Sequence, residues 1–240
     1  MAKGKIHPDV EMLQIVAEGL KHLLARVVFV GGSTTTLYID DPAAPESIAT
    51  EDIDCVIRIE SFLDMESLER ELRSLGFKHG AKPNDPICRW TLGSIPVDIM
   101  PSDRKFLGFS NLWYPEGIAR RENVQLPNGA EISIFSLPYF VASKIEACKD
   151  RGGSDLRFSQ DFEDLVLVIS GNSQAKTLLL GAESGLRKYL LDELIVLFEN
   201  PTFKEGVQSA LYVQGEGDAR ASIVVNLIHE IIEGLKELSI

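Results

Sequence analysis

Apolar residues recur at helical spacing close to the start of the chain. Val10, Leu13, Val16, Leu20, Leu23 and Leu24 share a face, and Pro8 suits a first helical position, so the pattern predicts a helix from about Pro8 to Arg26. The period then changes: Val27-Val28-Phe29-Val30 is a continuous β-branched and aromatic run, the mark of a buried strand, and it ends at Gly31-Gly32. Ser33 to Ile39 reads as a short helix. Asp40 to Thr50 reads as a loop of Pro, Ala, Ser and acids, and Asp52 to Ile59 as a second strand. Met65, Leu68, Leu72 and Leu75 line one face of a helix expected over Ser61 to Leu75, with Gly76 as its stop. Two hairpins follow. Ile87 to Leu92 and Ile95 to Met100 flank Gly93-Ser94, and Asn123 to Leu126 and Glu131 to Ile134 flank Pro127-Asn128-Gly129.

Beyond Ser136 the pattern is helical throughout. Ser136-Leu137-Pro138 opens a helix that reaches about Arg151 and stops at Gly152-Gly153, and Ser159 caps another that stops at Gly171. Thr177 to Phe198 and Ala219 to Leu238 are rich in leucine and isoleucine at helical spacing, with Asn200-Pro201 as a break between them. These elements predict an α+β fold with two regions, a mixed α/β domain over residues 1–135 and an all-helical domain over 136–240. The chain has no internal repeat and no low-complexity tract.

Composition narrows the class. A chain of 240 residues that is 45% hydrophobic buries a substantial core, and no apolar run approaches the ~20 residues of a membrane span. The N-terminal segment lacks the apolar block of a secretion signal, so a cytoplasmic protein is expected. Cys55, Cys88 and Cys148 are far apart, without the spacing of a disulfide framework or zinc knuckle, and are expected to be reduced and buried. His7, His22, His79 and His229 are equally scattered and form no metal motif. The net charge of −12 disfavours broad nucleic-acid binding and leaves only local basic patches: Lys78 to Arg89, Arg104-Lys105, Arg120-Arg121, and Lys144 with Lys149 and Arg151.

The candidate chemistry lies in two places around the second strand. In Asp52-Ile53-Asp54, strand alternation sends both carboxylates to one face and Ile53 to the other. Two adjacent carboxylates stay ionised cheaply with a cation between them, and such oxygen sites suit Mg²⁺. Asp98 stands in the apolar run Ile95-Pro96-Val97-Asp98-Ile99-Met100, where a carboxylate is costly unless paired or bound to metal. Gly31-Gly32-Ser33 supplies the other half: glycines let backbone approach phosphate oxygens, the helix start offers N–H groups, and the Ser33 hydroxyl can donate another bond. Taken together these residues predict a nucleoside-triphosphate site.

In this order the residues resemble the nucleotidyltransferase superfamily with the polymerase-β-like core. Ser136-Leu137-Pro138, Lys144, Ala147, Arg151 and Asp161-Phe162-Glu163-Asp164-Leu165 also look like the pattern of the AbiEii-like branch, which includes toxins of toxin–antitoxin pairs. The resemblance covers roughly residues 28–170. It implies a mixed-sheet catalytic core, an NTP substrate, Mg²⁺ held by Asp52, Asp54 and Asp98, and tRNA or another macromolecule as acceptor, with an antitoxin as a possible partner. It also implies Lys144 as a cation for the triphosphate and Asp161 as the group orienting Lys144 or the acceptor. On the residues alone, Lys144 reads as a snorkelling lysine and Asp161 as a favourable helix-start acid; only the resemblance gives them a role. Trp113-Tyr114 is a base-stacking candidate or hydrophobic cover. The segment between Ser33 and Asp52 is longer than in minimal members. A small-molecule nucleotidyltransferase and a noncatalytic nucleotide-binding protein are the alternatives.

Overall fold

The structure, a computed structural model, describes residues 6–80, 82–83, 85–151, 154–212 and 217–238. The expected stop at Gly152-Gly153, and parts of the N-terminal segment and of the Lys78 to Arg89 stretch, lie outside the described residues. The chain forms two compact units. One gathers the described residues up to Thr36 with Ile48–Ser136; the other joins Leu37–Ser47 to the described residues from Leu137 onward.

The first unit is built on seven strands: β1 (Val27–Val30), β2 (Ile53–Ile57), β3 (Lys78–His79), β4 (Arg89–Leu92), β5 (Ile95–Pro101), β6 (Arg121–Gln125) and β7 (Glu131–Phe135). Their order across the sheet is β3-β4-β5-β2-β1-β7-β6. The sheet is mixed: β2 runs parallel to β5 and β1 to β7, while the other neighbours are antiparallel. All four residues of β1 are buried, as its unbroken apolar run requires. Helix α1 (Pro8–Leu20) and a short α3 (Tyr114–Ala119) contact β2. Helix α2 (Phe62–Ser74) starts in a capping box, in which Ser61 accepts from the Asp64 amide and the Asp64 carboxylate accepts from the Ser61 amide.

Three expected helices take a different form. The first ends at Leu20 and continues as a 3₁₀ turn over Lys21–Arg26, because Lys21 adopts a positive φ of 49° that an α-helix does not admit. The helix expected over Ser33 to Ile39 is a 3₁₀ helix, Gly32–Tyr38. The apolar run expected to be one helix over Thr177 to Phe198 is divided at Gly181.

The second unit is helical: α4 (Leu137–Asp150), α5 (Gln160–Gly171), α6 (Ala175–Leu180), α7 (Ser184–Phe198), α8 (Phe203–Ala210) and α9 (Gly217–Glu237). Helix α5 is capped by the Ser159 hydroxyl, which accepts from the Phe162 amide, as the sequence predicts. Leu37–Ser47 is stitched to these helices. The amides of Asp40 and Asp41 donate to the Gly171 carbonyl, Asn172 donates to the Tyr38 carbonyl, and the Tyr38 ring packs 4.6 Å from that of Phe140. Arg220 closes the segment by donating to the Asp41 carboxylate and the Ala43 carbonyl, both at 2.7 Å.

Candidate active site

Strand register assembles the acidic site. Val30 lies opposite Asp54 across β1 and β2, Asp54 opposite Asp98 across β2 and β5, and Asp98 opposite Arg89 across β5 and β4. One row of residues therefore crosses four neighbouring strands. At its first end, immediately beyond Val30, Gly31 has φ 75°, and a Cβ built there would sit 2.2 Å from Asp54 Oδ2. Glycine is required on both counts, since any side chain would be strained and would strike the carboxylate. The Thr34 amide and hydroxyl both donate to the Gly31 carbonyl, at 3.2 and 2.9 Å, tightening the turn. The Ser33 hydroxyl is buried and faces the Val30 carbonyl at 3.5 Å.

Asp52 lies one residue ahead of β2, with buried Ile53 separating it from Asp54 as the alternation predicts. Its backbone is fixed from α1. The buried Asp9 carboxylate accepts from the Thr50 amide at 2.9 Å, and the Thr50 hydroxyl donates to the Asp52 carbonyl at 2.9 Å. Its side chain is held from the other direction by Arg89.

Arg89 is the dominant charge in the row. Its Nε and Nη2 donate to Oδ1 and Oδ2 of Asp98, both at 2.8 Å, and Nη2 also donates to Asp52 Oδ2 at 2.5 Å. This two-point fork on a carboxylate that is only 7% exposed raises the Arg89 pKa still further, first through the Asp98 hydrogen bonds. The costly carboxylate of the apolar run is thus paired. Nearby thiols feel both burial and the acids: burial, with Asp54 and Asp98 adding, pushes Cys55 far up, and burial with Asp98 pushes Cys88 up to about 12.

Lys144 and Asp161 lie in the helical unit and meet there. Lys144 is only 6% exposed, and its ammonium donates to Asp161 Oδ1 at 3.1 Å and to Asp164 Oδ2 at 2.6 Å, while Arg151 donates to Asp161 Oδ2 at 2.8 Å. Burial opposes the charge on Lys144, but Asp164 and then Asp161 outweigh it and its pKa is raised. The expected cation for a triphosphate is found between two carboxylates of its own unit. Lys149 is likewise paired, with Glu146 and Glu193. Trp113 stands at the residue preceding α3, and the neighbouring Tyr114 ring packs against Phe135 at 6.0 Å.

No protein-family model matches the chain, and no curated protein matches it. Among solved structures, a crystal structure of a presumed nucleotidyltransferase from H. pylori aligns over 98% of this chain and 99% of its own, with a TM-score of 0.52 and 12% identity. The fold is nucleotidyltransferase-like. At that identity the likeness is one of architecture, a mixed sheet followed by helices, as the sequence predicts.

Within this nucleotidyltransferase-like fold, the acids as arranged do not offer a metal site. Among the described residues no group of three or more His, Cys, Asp or Glu side chains is placed to hold a metal ion. Both oxygens of Asp98 and one of Asp52 are already bonded to a guanidinium. Arg89 is the residue the sequence reading missed, noted only as part of a basic stretch. A signal existed: a two-residue turn at Gly93-Ser94 pairs Leu92 with Ile95 and, counting outward, Arg89 with Asp98. The Asp9–Thr50–Asp52 link had no such signal, because α1 and the loop meet only in three dimensions. Among the described residues no helix is long and apolar enough to cross a membrane.

Proposed function

We propose that this protein moves a nucleoside monophosphate from a nucleoside triphosphate to an acceptor hydroxyl. The observation supporting this most directly is the in-register row of Val30, Asp54 and Asp98, which sets the Gly31 turn beside two carboxylates on neighbouring strands. In this reading Gly31 and Gly32 let the triphosphate reach the backbone, and the N–H groups at the start of the Gly32–Tyr38 helix bond its oxygens. The acceptor oxygen attacks the α-phosphorus and the bond to pyrophosphate breaks; Asp98 would take the acceptor proton with its carboxylate turned from the Arg89 fork that holds both of its oxygens here. Mg²⁺ belongs to the proposal as the cofactor that Asp52, Asp54 and Asp98 would hold in an arrangement other than the Arg89-paired one, and the cytoplasm as its compartment. The AbiEii-like residue pattern suggests tRNA as acceptor and an antitoxin as partner.

Two other readings have specific support. The net charge of −12 favours a cationic small-molecule acceptor such as an aminoglycoside. Arg89 paired with Asp98 favours a noncatalytic nucleotide-binding protein. Incubation with each α-labelled NTP and total tRNA, cell protein or an aminoglycoside panel separates the three. Label on tRNA supports the toxin-like enzyme, and label on an aminoglycoside the small-molecule one. No label on any acceptor, with an Asp52→Ala, Asp54→Ala double variant indistinguishable from wild type, rejects enzymatic transfer.

A further inference from the structure

Resting on the nucleotidyltransferase reading, we infer that Asp9, on the first turn of α1, is a positioning residue of the acidic site, setting through Thr50 where Asp52 stands. The Asp9 side chain is fully buried. An acid at the start of a helix gains from the helix dipole while it faces water, and complete burial adds a desolvation cost. The helix alone therefore gives no reason for a carboxylate there. Its bonds do. Oδ1 accepts from the Thr50 amide at 2.9 Å and lies 3.3 Å from the Thr50 hydroxyl, while Oδ2 lies 3.7 Å from His7 Nδ1. A hydroxyl carries one proton, and that of Thr50 goes to the nearer Asp52 carbonyl at 2.9 Å.

Asp52 needs such a hold. Between the Gly32–Tyr38 helix and β2 the chain forms no helix or strand, so no regular element of its own sets the direction of this residue. Fixing its carbonyl fixes the peptide plane that follows its Cα, and Arg89 Nη2 holds the far end at Oδ2. The side chain is 32% exposed, so water competes for the carboxylate wherever either hold is lost. Helix α1 is also tied to the strands that bear the rest of the row. A Cβ built at Gly19 would sit 2.4 Å from Leu92 Cδ2, so the last turn of α1 is pressed against the end of β4. Leu92 alternates to the face opposite Arg89 and Asp98. One helix thus aligns both parts, its first turn against the approach to Asp52 and its last against the hairpin carrying Arg89 and Asp98. Asp9 touches no reacting atom and acts only through Thr50 and Asp52.

Steady-state transfer from α-labelled NTP, by the full chain and onto the acceptor that wild type labels, tests the inference. Asp9→Ala and Thr50→Val should each lower kcat tenfold or more with KM for NTP within twofold, because misplacement of a reacting group costs rate before binding. Thr50→Ser, which restores the hydroxyl, should recover most of the loss. A wild-type kcat in Thr50→Val, or a loss that Thr50→Ser does not recover, overturns the inference and leaves the nucleotidyltransferase reading standing. Should Asp9→Ala fail to fold, Thr50→Val carries the test, since valine keeps the shape and the amide that Asp9 accepts from. If wild type labels no acceptor, the nucleotidyltransferase reading fails, and a crystal structure of Thr50→Val still decides the placement. Asp52 Oδ2 should have moved out of hydrogen-bond reach of Arg89 Nη2; Asp52 unmoved overturns the inference.

Discussion

Gly31 concentrates two separate demands at one residue, and a second glycine allows them to be told apart. Gly76 has φ 92° with nothing within 4 Å of a built Cβ, whereas Gly31 has φ 75° and the Asp54 carboxylate at 2.2 Å. Gly76→Ala should therefore cost only the left-handed strain, about 1–2 kcal/mol by urea denaturation. Gly31→Ala should cost that and displace Asp54, lowering labelled transfer about a hundredfold or more if transfer depends on that carboxylate. Equal effects of the two substitutions on transfer would detach Asp54 from the chemistry. At this scale Gly31, Asp54 and Asp98 were legible from one sequence, because each carries a local oddity: a glycine after a buried strand, or an acid in apolar company. Arg89 carried none, since an arginine before Trp90 is unremarkable until the hairpin register sets it opposite Asp98.

Among the elements, α4 and α5 present the sharpest energetic question. They bury Lys144 with Asp161 and Asp164, and Arg151 completes a group of two positive and two negative charges. Lys144→Met leaves Asp164 without that cation and should destabilise the protein by roughly 3–5 kcal/mol, read as a fall in urea midpoint. Adding Asp164→Leu should restore part of the loss, because a well-packed apolar pair avoids the desolvation cost. If Lys144→Met is neutral, the cluster does not hold these helices together. Helix positions were readable from period and caps, as Ser61 and Ser159 illustrate. The form of each helix was less so: Gly181 and Lys21 divide apolar runs whose spacing alone is continuous, and short α3 and α8 fall below the length at which periodicity speaks.

Across the whole molecule, both units carry groups that weaken it in alkali. Cys88 keeps its proton more tightly when folded, its pKa rising from an ordinary 9.0 to about 12, and that preference is lost as pH climbs through the interval. Raised Lys144 acts with the same sign: its contribution is complete below the unfolded value of 10.5 and disappears as pH passes the folded one. Stability should fall by up to about 1.4 kcal/mol per pH unit for each group within its window, measured as urea midpoints at successive pH values above 9.0. A flat profile would mean that these groups titrate alike in the folded and unfolded chain. Arg220→Ala tests the other large-scale feature, the attachment of Leu37–Ser47 to the helical unit. It should speed cleavage after Glu46 by a glutamate-specific protease several-fold, and unchanged cleavage would show that the Gly171 and Asn172 bonds suffice.

That attachment also has a consequence for biosynthesis. Asp41 leaves the ribosome 179 residues before Arg220, the partner that closes the segment over it. At roughly 5–20 residues per second the interval lasts on the order of ten seconds or more. Strands β1 and β2 flank the segment and can pair meanwhile, so the acidic row is able to form around a loop still waiting for its anchor. Termination or truncation ahead of α9 would then yield a chain whose sheet is complete but whose Leu37–Ser47 excursion has lost its Arg220 clasp, a natural target for proteolytic quality control.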